Sequence, residues 1–134
     1  MKLRDSYLQE LKPDIPQAKV LRNTGDEERF QNETLRPIAK FQDDVLMAVF
    51  KKYISKRKNV FYDLEPSKKE AYIDHAIKKD LKLRNLIKGI FIGLFTAQEY
   101  AEYQENSSQF NKRIANLSIE RLKNNIQYFE KEND

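Results

Sequence analysis

The chain is 134 residues long, with 25 basic and 21 acidic side chains for a formal charge of +4, no cysteine and a single histidine. The length suits one domain that closes its own core. Without cysteine there is no disulfide framework, zinc–thiolate site or cysteine nucleophile, and one histidine cannot furnish the two Glu-x-x-His helices of a di-metal bundle.

Only three Gly and four Pro are present, little turn chemistry for a fold of many short strands, while the abundant Lys, Glu, Leu, Ala, Gln and Arg favour helix. From the N-terminus, residues 2–12 place Leu3, Tyr7, Leu8 and Leu11 near one face of a short amphipathic helix. Pro13 and Pro16 then impose an extended or turning stretch. Gly25-Asp26-Glu27-Glu28 opens a second helix, with acids where the helix dipole favours them. Pro37 either kinks that helix or sits in the first turn of a new one capped by Thr34. Beyond it Ile38, Phe41, Val45, Val49 and Tyr53 recur at helical spacing, flanked by Leu46, Phe50 and Ile54. They predict an inward stripe that stops near Asn59.

Asn59-Val60-Phe61-Tyr62-Asp63 is the one stretch with strand character and reads better as a connecting loop. Glu65-Pro66-Ser67 starts the next helix, buried through Tyr72, Ile73, Ala76 and Ile77, and Asp80 interrupts or caps before the following one. Leu83, Leu86, Ile87, Ile90 and Leu94, widened by Phe91, Ile92 and Phe95, predict the central helix. Thr96-Ala97-Gln98-Glu99 is a capping box that begins a helix with Ala97, Tyr100 and Ala101 inward, and Asn106-Ser107-Ser108 ends it or caps the next. The last helix runs from about Ser108 to Lys131, with Phe110, Ile114, Leu117, Leu122, Ile126 and Phe129 inward. Together these segments predict an all-α fold: one compact domain, 1–134, a bundle of five or six helices with one central, mostly apolar helix.

No run of about 18 apolar residues is available to span a bilayer, and the polar N-terminus lacks the apolar core of a signal peptide. A cytoplasmic location with no membrane partner is therefore expected.

Several polar groups are candidates for function. His75 points away from Ile73 and Ile77 and is expected at the surface, so no metal ion or cofactor is expected. Glu99, Glu102 and Glu105 share one helix flank, either a solvated acidic face or a docking surface for a cation or basic partner. Lys51, Lys52, Lys56, Arg57 and Lys58 crowd one segment, and Lys78, Lys79, Lys82, Arg84 and Lys88 crowd another against Asp80. If neighbours in space, segments 51–58 and 78–88 would form a patch suited to phosphates. Gly89 and Gly93 form a small-xxx-small seam, expected to let another helix approach within the bundle, with self-association as the alternative. Arg84, Asn85, Asn111, Arg113, Asn116, Glu120 and Arg121 interrupt apolar helices. Converging inside, they would form a hydrogen-bonded network or a small-ligand site.

Asn32-Glu33-Thr34-Leu35-Arg36-Pro37-Ile38 with Lys40-Phe41-Gln42, Asn59-Val60-Phe61-Tyr62, Arg84-Asn85, Gly89 with Gly93, Phe95-Thr96 with Glu99-Tyr100, Asn111-Lys112-Arg113 and Glu120-Arg121 carry a resemblance. The chain resembles a family of small proteins from Bacteroidetes bacteria, some of which carry the label "glyoxalase". The resemblance covers nearly the whole chain and implies no catalytic signature. Glyoxalase I enzymes are built from βαβββ units and hold a metal through His and Glu side chains on strands. One histidine and almost no strand signal do not match that chemistry.

Three functional readings follow in order. The first is a non-enzymatic protein that works by contact with another protein or with itself. The second is a binder of nucleic acid or another polyanion through segments 51–58 and 78–88. The third is a small-molecule binder or enzyme built around Arg84, Asn85, Asn111, Arg113, Glu120 and Arg121.

Overall fold

Pro66, Asp80 and Thr96 set the starts of three of the helices. The computed structural model describes residues 2–11 and 25–129, and among them forms seven helices and no strand. Helix α1 is Lys2–Leu11, and α2 covers 26–41 after Gly25. Helix α3 is Asp43–Ser55, and a 3₁₀ turn, Val60–Asp63, precedes α4, Pro66–Lys79. Helix α5 is Leu81–Ile92, α6 is Ala97–Glu105 and α7 is Ser107–Asn124, followed by a 3₁₀ turn at Ile126–Tyr128. Asp80 caps α5 by accepting from the Leu83 amide at 3.0 Å. Thr96 and Glu99 form the expected capping box at the start of α6. Pro13, Pro16 and Lys131 lie outside the described residues.

Pro37 does not break α2. The helix passes from Asp26–Phe30 through a π-helical turn, Gln31–Leu35, into Arg36–Phe41, with Pro37 buried. A proline ring clashes with the carbonyl four residues back, and the wider π turn placed just upstream relieves that crowding. Thr34 caps nothing there; its hydroxyl donates to Glu99 on α6 at 3.0 Å.

The stripe expected across Phe41, Val45 and Val49 is out of phase. Gln42, at φ −94° and ψ 12°, separates α2 from α3 and restarts the helical phase. Leu46, Met47, Phe50 and Ile54 therefore face the core, while Phe41 and Val45 are exposed. The Asn59–Asp63 stretch is neither strand nor open loop, since it holds the 3₁₀ turn and buries Phe61 completely. In α1 only Leu8 is buried; Leu3, Tyr7 and Leu11 face out. That helix is fastened instead by Arg4, which donates to the carbonyls of Gly93 and Phe95 at 2.9 Å each. Asp5 adds a bond from the Ala97 amide.

The centre of the bundle is α7, not α5. Helix α7 packs against each of α2 to α6 and buries Phe110, Ile114, Ala115, Leu117, Ser118, Ile119 and Leu122. Helix α5 buries only Leu83, Ile87 and Phe91, a single line at four-residue steps; Leu81 is 68% exposed and Leu86 52%. Its many apolar residues suggest burial all round, yet those off this line are left partly or fully open.

Two aromatic clusters close the core at opposite ends of α7, which is about 27 Å long at 1.5 Å per residue. At its start Phe30 meets Phe110 at 4.4 Å and Phe95 at 5.7 Å, with Tyr103 alongside. Beyond its end Phe129 meets Phe50 at 5.4 Å and Phe61 at 6.0 Å, with Tyr53 and Tyr72 completing the cluster.

Candidate functional site

Three surface features stand out. The first lies over the Phe50–Phe61–Phe129 cluster. Arg57 follows the end of α3 and bonds Asp80 at 2.6 Å, so the two basic segments are neighbours. The Arg57 guanidinium also stacks 3.6 Å over the Tyr53 ring. Lys52, Lys56, Lys58, Lys78, Lys79 and Lys82 are exposed, Lys51 is half-buried, and Arg84 reaches the Lys78 carbonyl at 3.5 Å. Burial raises the Tyr53 hydroxyl pKa above its ordinary value, with Arg57 opposing and Asp80 adding to the rise. Burial likewise raises Tyr72, next to Tyr53 and Arg57. The Tyr72 hydroxyl is buried and has no hydrogen-bond partner among the described residues.

The second feature is a cleft of about 850 Å³ at the start of α7. Asp26, Glu27, Glu28, Glu33, Glu102 and Glu105 line it, together with Arg29, Phe30 and Phe110. Glu27 is held by Asn106 at 2.6 Å and by Arg113 at 3.4 Å. Partial burial in the cleft wall raises the Glu102 carboxyl above the ordinary range; Glu99, Glu105 and Glu33 add to the rise while Arg29 opposes it. Of the three acids expected on one flank, Glu102 and Glu105 reach the cleft. Glu99 instead turns to the Thr96 amide and the Thr34 hydroxyl.

The third feature is the outward face of α5. The seam of Gly89 and Gly93 is not packed inside the bundle. A Cβ added at Gly89 would meet nothing within 4 Å, and one at Gly93 would meet only the carbonyl of Gly89, at 3.1 Å. The reason is helical phase: Gly89 lies about 200° round the helix from Ile87, which points into the core. Exposed Leu86 and half-buried Ile90 flank the glycines. The α2–α3 junction is tied here by Gln42, which donates to the Ile90 carbonyl at 3.3 Å. Phe41 just before it and Val45 one turn after it are 43% and 44% exposed.

The interrupting polar residues do not converge on one interior site. Arg113 bonds Gln31 at 2.8 Å and Glu27, and Asn111 accepts from the Tyr103 hydroxyl at 2.5 Å. Arg121 pairs with Asp43 at 2.8 Å, tying α7 to α3. Arg84 stays with Lys78, and Asn85, Asn116 and Glu120 are exposed. These contacts are separate clamps between helices.

His75 is exposed, as its position in the sequence suggests. Among the described residues no three His, Asp or Glu side chains are grouped to hold a metal ion. No helix among them is long and apolar enough to cross a membrane. Compared with models of protein families, with curated proteins and with solved structures, the chain matches none.

The sequence signalled the basic segments and the glycine pair. It gave no sign of the Tyr72 hydroxyl or of Asp26, Glu27, Glu28 and Glu33 as cleft walls, because those depend on which helices meet.

Proposed function

We propose that the protein works by binding rather than by catalysis, and that the outward face of α5 is its protein-contact surface, engaged first by a second copy of the chain. The bare Gly89–Gly93 seam between exposed Leu86 and half-buried Ile90 carries this reading. Two glycines four residues apart let a second helix backbone come close, and the apolar side chains beside them supply area to bury. A two-fold pairing of identical faces closes on itself and stops at a dimer.

Light scattering across a concentration series tests this. The parent is expected to reach the mass of a dimer. Leu86→Glu and Phe41→Glu, both at exposed positions, are expected to remain monomers with stability within about 0.5 kcal/mol of the parent. A parent that stays monomeric at every concentration contradicts self-association.

A further inference from the structure

We propose that the basic end of the molecule binds the phosphate backbone of nucleic acid. Along segments 51–58 and 78–88 ten cations face one acid, Asp80, and that acid is already bonded to Arg57 at 2.6 Å. Asp63 and Glu65 are the next acids along the chain, in and after the following turn. Lys51 and Lys52 end α3, Lys56, Arg57 and Lys58 form the turn after it, Lys78 and Lys79 end α4, Lys82 and Arg84 start α5, and Lys88 lies further along α5. Helix-dipole complementarity explains a lysine or two at the ends of α3 and α4. It does not explain Lys82 and Arg84, which sit in the first turns of α5, where the dipole disfavours cations.

A second observation lies beneath this rim. The Tyr53 ring meets Tyr72 at 6.2 Å and Phe50 at 5.6 Å, so it stands on the sealed aromatic cluster. Arg57 is held in place by the Tyr53 ring at 3.6 Å and the Tyr53 carbonyl at 3.4 Å. A fixed guanidinium and a surround of exposed lysines suit a phosphate oxygen with further phosphates on either side. Nucleic acid supplies that repeat whatever its base sequence.

Fluorescence anisotropy of a labelled, mixed-sequence duplex over a range of salt concentrations tests the proposal on the intact protein. Binding is expected at low salt, weakening by about 0.9 log units per log unit of salt for each phosphate contacted. Lys56→Glu/Lys58→Glu/Lys79→Glu should bind about tenfold or more weakly, with a slope flatter by about 2.7, three contacts at 0.9 each. No duplex binding at low salt, or a triple variant equal to the parent, overturns the proposal. So does protein that sediments with phosphatidylserine vesicles but ignores the duplex.

Discussion

The two ends of α7 share one plan, a cluster of aromatic rings beneath a charged rim, and differ in the sign of the rim and in how it is held. At the acidic end the carboxylates stand on two facing helical stretches, and cross-links temper them: Asn106 and Arg113 hold Glu27, and Arg29 pairs with Asp26 at 2.8 Å. At the basic end all the cations but Lys88 gather from three helix termini, and Asp80 alone among the two segments opposes them. The rings beneath differ too. Phe50, Phe61 and Phe129 are sealed, whereas Phe30 and Phe110 form part of the cleft wall. The rings are sealed under the basic rim, and open volume lies beside them under the acidic one.

The largest expected effect lies in the rings. Phe61→Ala should cost about 3–5 kcal/mol in denaturant melts, because the side chain is wholly buried among four other rings. Phe110→Ala should fall at or below the bottom of that range, since water can enter the cleft beside it. Equal losses would erase the distinction between a sealed end and an open one.

Asp80 sharpens the comparison at the next scale. Asp80→Ala removes the α5 cap and the partner of Arg57, and should cost about 1–2 kcal/mol. Asp80→Asn keeps a good capping group and should stay within about 0.5 kcal/mol of the parent. Both raise the net positive charge of the rim, so both should bind duplex more tightly than the parent; an Asn variant as unstable as the Ala variant would show that the ion pair, not the cap, is what matters.

The smallest effect concerns Glu102. Its carboxyl holds a proton more tightly in the folded protein than its ordinary value of 4.5. Folding stability therefore falls as pH rises from that value through the raised one. Glu102→Gln removes this loss. The variant should match the parent below pH 4.5 and exceed it at neutral pH by about 0.5 kcal/mol or less, since the group is largely solvated. Thermal melts at acid and neutral pH check it, and a variant less stable at neutral pH would mean that Glu102 is a needed partner.

Much of the fold was legible because local chemistry decided it. The Thr96–Glu99 box, the Asp80 cap and the acids after Gly25 each act within one turn, and each marks a helix start. Phase was harder to read. One residue at Gln42 restarts the helix and turns Phe41 and Val45 outward, a change that composition does not register. Helix α5 misleads for a related reason: apolar width reads as burial on all sides, but the neighbouring helices cover one line of it. The basic segments were visible as runs, and their meeting through Arg57 and Asp80 was not, since 23 positions separate the two. Arg113 and Arg121 read as parts of one site because they share a helix; their partners, Glu27 and Asp43, lie on different ones.

The measurement that bears most directly on the contact surface is Gly89→Leu, followed by light scattering and by denaturant melts at dilution. Gly89 has no positive φ and nothing within 4 Å of an added Cβ, so leucine should raise monomer stability by about 0.5–1 kcal/mol through helix propensity alone. The same side chain fills the seam that a second helix would occupy, so the dimer should be lost. Opposite signs, a firmer monomer and no dimer, are the predicted result. A variant that keeps the dimer mass, or one that melts earlier without any change in mass, would contradict the account.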